Sequence, residues 1–208
     1  MAQKAVRGTF ITFEGPECCG KSTQAKLLAA YLRGRGRKVV MLREPGGTMI
    51  SERIRNMLLD VKNEGLDSRT ELFLYMASRA QTVQDVILPA LRKGSIVICD
   101  RFLDSTVVYQ GYGLGIDRGL IARMGTFATQ GVRPALTILL DAPLKKSLDR
   151  IGSRKDRIER RSFAYHSRVK NGYMQLARKE PQRIKVVKVA ETKEVTQQRI
   201  RELVLDVI

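Results

Sequence analysis

Three cysteines and a single histidine are all that 208 residues offer as soft or imidazole ligands. Two of the cysteines are adjacent, so neither a disulfide framework nor the paired spacing of a zinc site can be built from them. No run approaches the roughly 18 apolar residues that a membrane span needs, and MAQKAVRGTF contains no apolar h-region. A cytoplasmic protein with no membrane partner is expected. Repeats and low-complexity linkers are missing too, so the chain reads as a single domain over 1–208, with 43% hydrophobic and 28% charged residues for one sizeable core.

Acidic residues are the other shortage: 21 Asp and Glu face 38 Lys and Arg, a net charge of +17. Residues 145–208 alone hold 18 basic against 8 acidic side chains. Such a field attracts polyanions. It also suits a solvated basic surface with several arginines committed to a small phosphorylated ligand, the reading preferred here. No interleaving of aromatic and basic residues argues for stacking on nucleic acid bases.

Five short apolar runs, Thr9–Glu14, Lys38–Arg43, Ser95–Asp100, Ala135–Asp141 and Ile184–Val189, read as strands. Helical periods lie between them at 21–33, 49–59, 69–92, 117–130, 143–152, 162–179 and 194–207. Near-continuous apolar strands alternating with helices imply an α/β fold, a five-stranded parallel sheet sandwiched by helices. Ligands of such sheets bind beyond the carboxyl ends of the strands, where Glu14–Ser22, Arg43–Thr48, Asp100–Arg101 and Asp141 fall. The basic stretch at about 150–161, RIGSRKDRIERR, has only Asp156 and Glu159 to offset it. It reads as a mobile lid that does not pack tightly without an anion. His166, just beyond it, reads as a surface residue rather than a general base.

Gly15, Gly20, Lys21 and Ser22 satisfy G-x-x-x-x-G-K-[ST] between a strand and a helix, the context the motif requires. Inward backbone N–H groups and the helix N-terminus can bind the phosphates of a nucleoside triphosphate. Lys21 reaches the β and γ phosphates, and the Ser22 hydroxyl ligates Mg²⁺. Asp100 is the leading second metal ligand because Arg101 follows it, while Asp141 competes from another strand end. Tyr75 and Arg79 stand one turn apart on one helix face, where they can stack on a base and hold its edge or its phosphate. Arg150, Arg154 and Arg157 are candidates to close over the triphosphate as an arginine finger supplied in cis.

FITFEGPECCGKSTQ, REPGGT (Arg43–Thr48), SRAQ (Ser78–Gln81), DRFLDSTVVYQG (Asp100–Gly111), RPALTILLD (Arg133–Asp141) and DRIERRSF (Asp156–Phe163) together resemble the ordered motifs of bacterial thymidylate kinases. The resemblance covers about residues 8–206. It implies a P-loop nucleoside monophosphate kinase fold, ATP and Mg²⁺ as cofactors, conversion of dTMP to dTDP, and a homodimer. By the same resemblance the loop and helix start, Gly15, Pro16, Glu17, Cys18, Cys19, Gly20, Lys21, Ser22 and Thr23, meet ATP with Arg150 and Arg154. Glu17, Glu44, Pro45, Tyr75, Arg79, Arg101, Ser105, Thr106, Tyr109 and Gln110 meet dTMP. Lys21, Asp100, Arg101 and Arg154 are the expected catalytic residues, with Arg150 as the alternative lid arginine. Tyr109 matches a tyrosine lying against the 2' carbon, where a bulky ring disfavours a 2'-hydroxyl. Departures are Cys18 in place of glycine, which strains the loop if φ is positive, Arg161 in place of an acid, Ala135 in place of an acid, and Thr82 in place of histidine. A thiol near a helix N-terminus should titrate low, which would make the cysteine pair sensitive to oxidation or metals. A kinase for another acceptor and a nucleic-acid-dependent NTPase are the alternatives.

Overall fold

The protein is described by a computed structural model over residues 8–153 and 155–208. Its sheet holds five parallel strands, β1 (Phe10–Glu14), β2 (Val39–Arg43), β3 (Ile96–Asp100), β4 (Leu136–Asp141) and β5 (Ile184–Lys188), in the spatial order β2-β3-β1-β4-β5. Parallel pairing demands crossovers, which the helices supply: α1 (Lys21–Gly34), α2 (Met49–Leu59), α3 (Ser68–Thr82), α4 (Leu88–Arg92), α5 (Leu103–Thr106), α6 (Arg118–Thr129), α7 (Leu144–Leu148), α8 (Phe163–Lys179) and α9 (Lys193–Leu205).

Alternation along the strands explains the two covered faces. Ile11, Phe13, Ile98, Ile138 and Leu140 point toward Leu28 and Leu32 of α1 and Ile200 and Val204 of α9. Phe10, Val97 and Cys99 point the other way, onto Val83, Ile87 and Leu91. Leu139 continues that second face onto Val169 and Tyr173 of α8. Burying each large side chain here stabilises the fold by roughly 2 kcal/mol. Helix entries are set by side-chain caps: Thr48, Asp67, Ser162 and Thr192 each accept a backbone N–H of the first turn, worth about 1 kcal/mol apiece.

Four expectations change. The helical period 69–92 is interrupted by a π-helical stretch at Val83–Ile87, and 143–152 shortens to α7. Residues 103–113, not expected to be helical, form α5 and a second π-helical stretch, Val107–Gly113. The far end of the lid is packed: Ile158 and Arg157 are buried, the Arg157 Nε donates to Leu58 O at 2.8 Å, and Arg160 pairs with Glu64 at 3.0 Å. A charged run looks solvated until its partners, almost a hundred residues earlier, are brought against it.

Candidate active site

The register places Asp100 level with Phe13 and with Arg43, at the carboxyl edge of the sheet's centre. The chain leaves β1 through Gly15, where a Cβ would stand 2.7 Å from Leu140 O and 2.9 Å from Cys19 Sγ, so only glycine fits. It enters α1 through Gly20 in the left-handed region, at φ 98°. Cys18 is also left-handed, at φ 51°, so the strain anticipated for a cysteine at that position is present. Its thiol corrects another expectation, because burial, then Glu159 and Glu17, push it up rather than down.

Lys21 is buried and donates to Pro16 O at 2.6 Å. Ser22 Oγ donates to Asp100 Oδ2 in a short hydrogen bond. Asp141 instead pairs with Lys170 at 3.0 Å and does not line the cleft that holds Ser22 and Asp100. Lys21, Ser22, Thr23, Cys18, Gly20 and Asp100 thus line one cleft with Arg101, Arg55 and Glu159. Hydroxyl and carboxylate oxygens side by side suit a hard divalent cation that keeps its waters and binds substrate phosphates.

An adjoining cleft of about 550 Å³ gathers all ten residues expected at an acceptor: Glu17, Glu44, Pro45, Tyr75, Arg79, Arg101, Ser105, Thr106, Tyr109 and Gln110. Glu17, Glu44, Arg55, Arg101 and Asp156 line both clefts and so mark their junction. Arg101 is the centre of it. Its Nη2 meets Glu17 Oε2 at 2.7 Å, its Nη1 reaches Gly15 O at 3.1 Å and Tyr173 Oη at 3.2 Å, and its guanidinium lies 5.0 Å from the Tyr109 ring centroid. Its φ of 70° is strained for a side chain of this size. Tyr109 Oη donates to Glu17 Oε1 at 2.7 Å. Burial alone would raise Glu17, but Arg101 and Lys21 outweigh it and hold the carboxyl at about 2.

Arg79, only 2% exposed, donates through Nε to Glu44 Oε2 at 2.8 Å and through Nη2 to Phe102 O at 3.0 Å. Arg150 stands elsewhere, lining a hollow with Cys19, Gly20, Thr23 and the β5–α9 connection at Val189–Glu191. Arg154, expected to be catalytic, lies outside the described residues. His166 is not a surface residue: it is 2% exposed, its ring packs edge-on to Tyr165, and burial lowers its pKa. The spacing 166, 169, 173, 177 of buried residues on α8 was its signal.

Four residues in or beside the clefts were given no role from the sequence. Arg55 sits one turn after the buried Ser51 of α2 and donates to Pro45 O at 3.0 Å. Glu14 ends the central strand, the one carboxylate closing an otherwise apolar run. Tyr173 donates to Glu14 Oε2 at 2.8 Å, a contact across 159 residues with no local sign. Asp156 was noted only as a lid charge.

A phosphate loop and an arginine-lined second cleft at the carboxyl edge of a parallel sheet define a P-loop phosphotransferase of the nucleoside monophosphate kinase class. A family model described as Thymidylate kinase matches residues 13–200. The chain is 48% identical over 207 residues to a thymidylate kinase of Geobacter sulfurreducens, covering 96% of this chain and 97% of that protein. It is 46% identical over 206 residues to one of Geotalea uraniireducens, covering 95% and 97%. A crystal structure of thymidylate kinase from Ehrlichia chaffeensis superposes with a TM-score of 0.80 at 35% identity, covering 95% of this chain and 98% of that one. The chain belongs to the thymidylate kinase family. Among the described residues no helix is long and apolar enough to cross a membrane.

Proposed function

We propose that this chain transfers the γ-phosphoryl group of ATP to the 5'-phosphate of dTMP, giving dTDP and ADP. The junction at Arg101 supports this reading most: one guanidinium lines both the phosphate-loop cleft and the cleft that would take the acceptor. The loop amides and Lys21 would hold the donor phosphates in line with the acceptor, whose phosphate oxygen attacks as the ADP oxygen leaves. Ser22 and Asp100 would hold Mg²⁺, which would offset the negative charge of the donor phosphates. Arg101 and Arg55 would clamp the acceptor phosphate, which needs no general base of its own. Glu17, kept ionised, fixes both Arg101 and the Tyr109 phenol, and the Tyr109 ring would sit where a 2'-hydroxyl would project. Tyr75 and Arg79 would flank the thymine.

Arg154 is proposed as the catalytic lid arginine on the family resemblance, and Arg150 as a contact to the donor nucleotide on its place beside the β5–α9 connection. A homodimer is proposed from the family resemblance and from large exposed apolar side chains on the neighbouring helices α2, α3 and α6: Met49, Ile50, Met57, Phe73 and Phe127. Cytoplasmic function is part of the same reading. A coupled ADP assay with ATP and Mg²⁺ against dTMP, dUMP, dCMP, AMP and GMP tests the proposal. Strong preference for dTMP is expected, and turnover confined to another monophosphate would overturn it.

A further inference from the structure

We infer that Glu71 and Arg161 are positioning residues that hold the Tyr109–Gln110 wall of the acceptor cleft in place, an inference resting on the acceptor reading above. Tyr109 and Gln110 belong to the π-helical stretch Val107–Gly113. Two adjacent valines and two glycines make that stretch a poor intrinsic helix, so contacts from outside must set its shape. Arg168 holds its far end, donating to Gly113 O at 2.9 Å, while two further groups hold residues 109 and 110, and Arg161 touches both of those. Glu71, fully buried in the first turn of α3, accepts Gln110 Nε2 at 2.8 Å through one oxygen. Its other oxygen accepts Arg161 Nη2 at 2.6 Å. Tyr165 donates to Tyr109 O at 3.2 Å, and the Arg161 guanidinium lies 4.6 Å from the Tyr165 ring centroid. One guanidinium therefore braces the side-chain grip on residue 110 and the backbone grip on residue 109.

Arg157 shares the charge of Glu71 with Arg161 but not its hydrogen bond. Its Nη2 is 2.6 Å from the same Glu71 oxygen but off the line of a hydrogen bond, and its Nε is committed to Leu58 O. Arg161 supplies the directional bond, and an acid at this position would set like charge against a buried carboxylate. From the wall the chain of contacts continues through Tyr109 Oη to Glu17 and on to Arg101. Loosening the wall should thus weaken acceptor binding and leave the donor side alone.

Steady-state kinetics of the full chain decide the matter, with Arg161→Gln, Arg161→Lys, Glu71→Gln and, as a control on the exposed Arg160–Glu64 pair, Arg160→Gln. Arg161→Gln is expected to raise KM for dTMP about tenfold, with kcat and KM for ATP within twofold of the wild type. Arg161→Lys, which keeps a charge against Glu71, should recover most of that loss, and Glu71→Gln should match or exceed it. An unchanged KM for dTMP, or a fall in kcat with both KM values altered in step with a lowered Tm, overturns the inference. If Glu71→Gln does not fold, the Arg161 pair decides alone. Absence of dTMP turnover in the wild type would instead refute the acceptor reading itself, so the two failures are separable.

Discussion

Replacing Glu14 with glutamine should stabilise the protein at pH 8 far more than at pH 5. The carboxylate is fully buried at the end of β1. Burial first, and Asp104 second, push its pKa from 4.5 up to about 7, against the opposing pull of Ser105, Arg101 and Tyr173. An unfolded chain releases this proton above pH 4.5, whereas the folded chain retains it to about 7. Folding is therefore unpenalised below 4.5, loses stability as pH rises through the interval, and carries the full penalty above it. At about 1.4 kcal/mol per pH unit the whole interval is worth about 3 kcal/mol.

Glutamine mimics the protonated acid in shape and charge. Its carbonyl can replace Oε1, which accepts the N–H groups of Phe102 at 2.8 Å and Ser105 at 3.3 Å. Its amide can donate to the hydroxyls of Ser105 and Tyr173, now 2.6 and 2.8 Å from Oε2, both of which can turn to accept. The expected gain is about 3 kcal/mol at pH 8 and about 1 kcal/mol at pH 5. Urea denaturation at both pH values, with m checked for constancy, reads the difference. A Glu14→Gln protein that is destabilised equally at both pH values would refute the account of a carboxylate held against its own desolvation.

Cys18→Gly should raise stability by about 1 kcal/mol, measured by the same denaturation, because glycine accepts the left-handed φ of that position without strain. Arg154→Ala is expected to lower kcat about 1,000-fold or more with little change in KM for ATP, as loss of an arginine finger does. Arg150→Ala should chiefly raise KM for ATP, and the reverse pattern in single-turnover kinetics would exchange their roles. Phe127→Asp, at a side chain 88% exposed, should shift a dimer to monomer in light scattering without loss of fold.

Legibility in the sequence tracked whether a residue's partners were local. Strands declared themselves because two covered faces demand near-continuous apolar runs, and the phosphate loop because its glycines, lysine and serine act within eight residues of one another. Of the ten residues expected at the acceptor, Tyr75, Arg79 and Arg101 stood out by spacing and neighbours and the rest came from the family resemblance; one cleft is lined by all ten. Glycine-containing 107–113 gave no helical signal, since its conformation depends on Glu71 and Tyr165 from outside. Arg157 reads as a candidate arginine finger from the sequence, and Arg161 has no partner there, for the same reason: their carboxylate stands on α3, where Arg157 is buried and committed away from the phosphate cleft. Arg55 carried only the faint sign of lying one turn from a buried serine.

The same long-range pairing accounts for where several arginines go, though it leaves the basic surplus of +17 almost whole, because each takes a carboxylate with it. Arg79, Arg101, Arg157, Arg161 and Arg183 face Glu44, Glu17, Glu71 and Asp104 inside the molecule. Arg79 and Arg101 line the acceptor-side cleft, and Arg157 and Arg161 meet the carboxylate that holds Gln110 of its wall. Strain follows the same geography, for two of the three non-glycine residues with positive φ among those described, Cys18 and Arg101, line the phosphate cleft. Such backbone persists only where surrounding contacts overdetermine it, and for Arg101 those contacts are Glu17, Gly15 and Tyr173. Before any phosphate arrives, Arg101 is thus aimed and charge-neutralised by a carboxylate that stays ionised down to about pH 2. On the proposed reading an acceptor phosphate would meet a guanidinium already oriented, so less of its binding energy would be lost to ordering the site.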